Sequence, residues 1–151
     1  MKIRCISLWQ PWGTAIFLNL KRNETRGKLT HVRGRIGIHA AGLKSKELRE
    51  FYADMILDNG IKETFGRHGF GDFDDLPFGA ILGTVTLHDC QPTTKLRGLD
   101  PVETQFGNYS PGRFAWMLTD VNSFTKPFPF SGKQGFFFAD IPDSIVKPHT
   151  V

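Results

Sequence analysis

Two segments of this chain fit little other than a β-sheet, and they decide what kind of fold is open to the rest. Ala80 to His88 is an apolar run rich in β-branched residues, bounded by Gly79 and Pro92, which is the composition and punctuation of a strand. Arg113 to Val121 alternates Phe114, Trp116 and Leu118 with Ala115, Met117 and Thr119. That two-residue period places the first three on one face and predicts that Trp116 is core. Weaker forms of the signal occur in Ile6 to Trp9, near Glu24, from Arg33 to Ala40 and from Gly135 to Ile141.

One stretch carries a strong helical period. Leu48, Phe51, Tyr52, Met55 and Ile56 recur on one helical face after Ser45, a good N-cap, and the helix is expected to stop at Asn59-Gly60. A shorter helix is expected from about Pro11 to Leu20, where Trp12, Ala15, Ile16 and Leu20 share a face and proline suits the first position. Another is expected from Pro101 to Phe106. Ile61 to Gly79 lacks a sustained period and reads as a long loop, mobile at its middle. Five or six strands with one long and one or two short helices predict an α+β class, a small closed or nearly closed mixed β-barrel with the helices packed on it. Closure would remove sheet edges from a chain with 14 phenylalanines. A length of 151 residues predicts a single domain, residues 1–151.

The formal charge of +4 is compatible with an anionic partner without identifying one. Cys5 and Cys90 have no partner at metal-ligand spacing and stand in apolar runs, so they read as small buried hydrophobes in a reducing cytoplasm, with no metal or cofactor expected. The N-terminus has no secretory pattern and no run is long enough to span a bilayer, so no membrane association is expected.

The chemistry concentrates where the first strand runs into the first helix and out again. Lys21, Glu24 and Arg26 crowd the entrance of the second strand beside Gln10 and Trp12. A lysine beside a carboxylate can orient a phosphate or a carbonyl oxygen, and the carboxylate can accept a proton. The same residues also suit an ordinary surface ion pair. Arg26 has the fork geometry for either a phosphate or Glu24. Trp12 suits base stacking or the core, and Gln10 suits reading a base edge or a strand-end hydrogen bond. His39 ends the third strand and Lys44 follows, both placed to face the same cleft. Ser131, Lys133 and Gln134 form the last polar turn, whose glycines can present N–H groups to an anion or simply make the turn.

Ser7-Leu8-Trp9-Gln10-Pro11-Trp12, followed by Asn19-x-Lys21-x-x-Glu24-x-Arg26, resembles the signature of the ASCH family, named for activating signal cointegrator-1 homology. The family pattern is Gly-x-Lys-x-x-Glu-x-Arg, with Asn19 here in the glycine position. Further matches follow in order: Arg33-Gly34 with Ile38 to Ala41, Gly79 to Val85, Pro111 to Trp116, and Gly132 to Phe136.

The resemblance implies a PUA-like barrel and a cleft beside Lys21, Glu24 and Arg26 that binds RNA, single-stranded nucleic acid or a modified nucleoside. It also implies an alternative, an enzyme in that cleft with Lys21, Glu24 and Lys44 as candidate catalytic residues. Such an enzyme would hydrolyse an acylated cytidine-type nucleoside or cleave single-stranded RNA without a metal. The amidohydrolase branch uses a threonine nucleophile where this chain has Glu24, and Thr25 would point to the other face of the strand. A protein-interaction domain with a vestigial cleft is the third class.

Overall fold

The computed structural model describes residues 1–146. Strands β1 (Lys2–Leu8), β2 (Asn23–Arg26), β3 (Gly34–Ala40), β4 (Ala80–Pro92), β5 (Phe114–Pro129) and β6 (Phe137–Asp140) form one sheet in the order β2-β5-β4-β3-β1-β6. The β1–β3 pair is parallel and the other pairs are antiparallel. Among the described residues, five α-helices complete the α+β fold: α1 (Trp12–Phe17), α2 (Lys46–Met55), α3 (Asn59–Arg67), α4 (Pro101–Gln105) and α5 (Asp143–Val146). Among the described residues, no helix is long and apolar enough to cross a membrane.

The long β4–β5 ladder is the spine, and its register shifts three times along its length. Each such irregularity bends the strand and adds twist, which curls the sheet. The curl separates two cores. Ile6, Leu8, Ile36, Ile38, Val85, Leu87, Trp116 and Leu118 fill one, with Trp116 buried as its alternation requires. Ile3, Cys5, Ile81, Phe124, Phe137 and Ala139 fill the other, where burial pushes the Cys5 thiol up to about 11.

Of the two forms expected from sequence, closed or nearly closed, the curling reaches only the second. Among the described residues, no ladder joins β2 to β6, and each has only four residues with which to reach the other. Side chains bridge the gap instead. An Arg26 guanidinium nitrogen donates to the Ser7 carbonyl at 3.1 Å, and the Phe136 ring stacks on Trp116 at 5.6 Å and 6°. An open seam remains between the two ends of the sheet.

The segment read as a long loop from residue 61 to 79 is largely built structure. The helix with the strong period stops at Met55, and Asn59-Gly60, read as its end, is the first turn of α3. The Asp58 side chain caps α3 by accepting from the Ile61 N–H at 3.1 Å. A short 3-10 turn follows at Phe73–Asp75. Ile61, Phe65, Phe73 and Leu76 pack with Leu48, Tyr52 and Met55 in a third core. Sequence periodicity missed α3 because it buries only Ile61 and Phe65 and carries Gly60 and Gly66. The polar tail expected after Ile141 is described only as far as α5, and residues 147–151 lie outside the described residues.

Candidate functional site

The seam opens into a cavity of about 930 Å³. One wall is β2 with the turn that follows α4, the other is the C-terminal end of β1 with β3, and the loop 132–135 that leads into β6 forms the lip.

On the β2 wall, strand alternation buries Asn23 and Thr25 and leaves Glu24 and Arg26 half-buried on the other face, and Glu24, Thr25 and Arg26 all line the cavity. Lys21 lies behind this wall, its side chain 0% exposed, with Nζ donating to the Phe106 carbonyl at 2.7 Å and standing 3.3 Å from Glu24 Oε1. Burial pushes the Lys21 ammonium below its ordinary value, and the carboxylates of Glu24 and Glu103 oppose that shift. The other Glu24 oxygen accepts from Arg26 Nε at 3.2 Å, and the Arg26 guanidinium lies over the Trp116 ring at 5.1 Å. A carboxylate thus joins a buried cation to one at the cavity surface. Deeper still, Glu103 accepts from the Arg22 N–H at 2.6 Å, and burial raises its pKa.

On the opposite wall, Ser7 and His39 are ladder partners of the parallel β1–β3 pair. His39 Nε2 lies 2.6 Å from the Phe130 carbonyl, which can only accept, so this nitrogen carries the proton. Burial pushes the His39 pKa below 6.5, which favours the neutral ring. Its Nδ1 therefore accepts from the Ser7 hydroxyl. Gly132 seals this pair from above: a Cβ there would sit 2.5 Å from the imidazole and 2.7 Å from Ser7 Oγ. Glycine at the lip is what permits so close an approach.

Aromatic surface flanks the cavity. Trp12 stacks on Phe51 at 4.6 Å and 24°, and Trp9 stands at the mouth, 56% exposed. Arg113, in the Pro-Gly-Arg turn, donates to the carbonyls of Thr25 at 3.0 Å and Asn108 at 3.1 Å, and Lys133 is exposed on the lip.

Of the residues singled out from sequence, Trp12, Glu24, Arg26, His39, Lys133 and Gln134 line the cavity together. The others stand apart. Lys21 reaches the cavity only through Glu24. Gln10 is fully buried, its amide donating to Thr14 Oγ1 at 2.6 Å and the Pro77 carbonyl at 2.7 Å and accepting from the Thr14 N–H at 2.9 Å. Lys44 pairs with Asp74 at 3.8 Å and covers the Phe78 ring, away from the cavity, and Ser131 lies outside its lining. Sequence reasoning passed over Ser7, Trp9, Asn108 and Arg113. Ser7, in β1, and Trp9, just past its end, bracket Leu8, and all three line the cavity.

The ASCH domain model matches residues 6–128, which include both walls of the cavity but not the lip. Activating signal cointegrator 1 from Mus musculus and its counterpart from Homo sapiens are each 29% identical to this chain over 138 residues. The match covers 90% of the chain and 22% of each relative, so the chain spans less than a quarter of the length of those proteins.

Proposed function

The chain belongs to the ASCH domain family, which is linked to RNA binding, and on that premise we propose that it binds RNA or a modified nucleoside in the seam cavity beside Glu24 and Arg26. The observation that carries this reading is the pairing of size with lining. About 930 Å³ is the volume of a small-molecule site, here walled by Trp9 and Trp12 and edged by Arg26, Arg113 and Lys133. Aromatic faces stack on a base of any sequence, and the cations meet phosphate. A cavity of this form accepts an unpaired base and excludes a duplex.

Titration of a labelled single-stranded RNA over a series of salt concentrations tests the proposal. Affinity is expected to fall linearly in log–log form as counterions are released, and Lys133→Ala is expected to lower that slope by about one. Affinity independent of salt would refute it.

A second reading, turnover in the same cavity, is favoured by one observation: a buried lysine with a lowered pKa is coupled to a carboxylate that lines the site. Glu24 would accept a proton from water or from a ribose 2′-hydroxyl, and Arg26 would steady the developing negative charge. Incubation with acylated nucleosides and single-stranded RNA in the presence of chelator, followed by mass spectrometry, tests it. Glu24→Gln is expected to lower any turnover per folded molecule by about two to four orders of magnitude. Undiminished turnover in that variant would remove Glu24 as the base.

A further inference from the structure

The cavity does not end at the seam. Phe136 stacks on Trp116, whose other neighbour is the Arg26 guanidinium at 5.1 Å. Arg4 lies 5.9 Å from the Phe136 ring and 5.2 Å from the Phe138 ring, and Lys2 Nζ lies 5.2 Å from the Phe138 ring. Read outward from the cavity, the order is Arg26, Trp116, Phe136, Arg4, Phe138, Lys2. Cations and rings follow one another along a single face, from the proposed base site to the edge of the sheet.

The inner part of this strip serves the fold, since Trp116 is core and Phe136 packs against it, but its outer part, Arg4, Phe138 and Lys2, does not. Phe137 and Ala139, on the opposite side of β6, complete a core, whereas Phe138 faces outward and is 51% exposed. Arg4 is its direct cross-strand partner and is also exposed. An exposed aromatic on an edge strand is a liability for solubility unless something covers it. Cations on either side select an anionic partner for that position, and the rings select one with flat faces. Phe136 and Phe138 are two residues apart, about 7 Å along an extended chain. The far end is closed by charge of the opposite sign, since Asp140 and Asp143 stand against the N-terminal ammonium at 3.2 Å and 3.1 Å.

We propose that the outer face of β1 and β6 is a second binding site, a track for the single-stranded nucleic acid whose base occupies the seam cavity. A base of a following nucleotide stacks on the exposed Phe138 ring, and the phosphates pass Arg4 and Lys2. The track rests on the binding reading above, and its test separates the two.

A dinucleotide and a ten-nucleotide single-stranded RNA are titrated against the parent chain, Phe138→Ala, Arg4→Ala and the double variant. Both side chains are exposed, and thermal melts confirm that the variants stay folded. The parent is expected to bind the ten-nucleotide RNA more tightly than the dinucleotide. The double variant is expected to lose roughly ten-fold or more for the long RNA, in line with the loss of one stacking platform, and to keep its affinity for the dinucleotide. If the variants hold the long RNA as tightly as the parent does, or the parent gains nothing from length, the track is refuted and the cavity reading stands. If the parent binds neither RNA, both fail. If Phe138→Ala instead turns a dimer into a monomer in light scattering with RNA affinity unchanged, the strip is a contact between copies of this chain and the proposal is overturned.

Discussion

The two walls of the seam cavity each bury an ionisable side chain, and they solve the same electrostatic problem in opposite ways. Behind β2, Lys21 is surrounded by countercharge: Glu24 at 3.3 Å, a carbonyl at 2.7 Å and Glu103 behind them. On β3, His39 meets no carboxylate among the described residues, and burial favours its neutral form, which gives one hydrogen bond and takes another. A buried ion pair depends on both partners, because losing either leaves a charge without compensation. A neutral hydrogen-bonded ring risks only its hydrogen bonds. The β2 wall is therefore the fragile one, and it is also the wall that presents Glu24 and Arg26 to the cavity.

The sharpest test of that difference strips the countercharge. Glu24→Gln leaves the Lys21 ammonium buried beside a neutral amide and is expected to destabilise the chain by about 3 kcal/mol, near the lower end for a broken buried pair. Lys21→Met removes the buried charge and retains most of the volume, while Arg26 still pairs with Glu24. It is expected to cost less than Glu24→Gln. Denaturant unfolding of both variants decides the order, and equal costs would mean that Lys21 acts through packing alone.

His39 supplies the next test. In the unfolded chain it takes up a proton as the pH falls through about 6.5, whereas in the folded chain burial holds its pKa lower. Over that window the unfolded state binds more protons, so the stability from keeping His39 neutral is fully present above about 6.5 and is lost as the pH falls below it. The slope can reach at most about 1.4 kcal/mol per pH unit from one group. Unfolding of the parent and of His39→Asn from pH 7.5 to 5 is expected to show the parent losing more. The variant itself is expected to cost about 1–3 kcal/mol at neutral pH by disturbing the bonds to Ser7 and Phe130. Parallel pH profiles would show that folding leaves the proton affinity of His39 unchanged.

These contrasts also explain what could be read before the fold was known. The apolar run of β4 and the period-two alternation at the start of β5 were legible because their side chains fill the cores. The same rule within β2 sends Glu24 and Arg26 to one face, where the cavity lies. Lys21 was not placeable that way, because it precedes β2, on the turn where the N–H groups of Leu20 and Lys21 both donate to the Ala15 carbonyl. Lys44 follows β3 closely in sequence, yet beyond the strand end no alternation constrains it and Asp74 holds it elsewhere. The Ser7–His39 pair was invisible for a different reason. Its members are 32 residues apart, and only the parallel register of β1 and β3 sets them side by side. The unclosed seam depends on how far two four-residue strands reach, a property of the curled sheet and not of any local pattern.

The smallest expected effect concerns the turn that delivers Lys21 to its wall. Asn19 has a φ of 59°, the left-handed region in which a Cβ is unfavourable and glycine is at ease. The ASCH pattern has glycine at this position, and asparagine is the side chain that tolerates the conformation best after it. The backbone here leaves α1, with the Asn19 N–H donating to the Ile16 carbonyl at 3.3 Å, and must reverse before β2 can begin. Asn19→Gly relieves the crowding of the Cβ but gives the unfolded chain more freedom, so the two terms oppose and the gain is expected to stay below about 1 kcal/mol. Asn19→Val makes the same position unfavourable, and its cost is expected to fall on the β2 wall first. Hydrogen exchange in β2 should then quicken while the β1–β3 pair keeps its protection. Equal loosening of both walls would show that they fail as one unit and that the fragility assigned to β2 is not local.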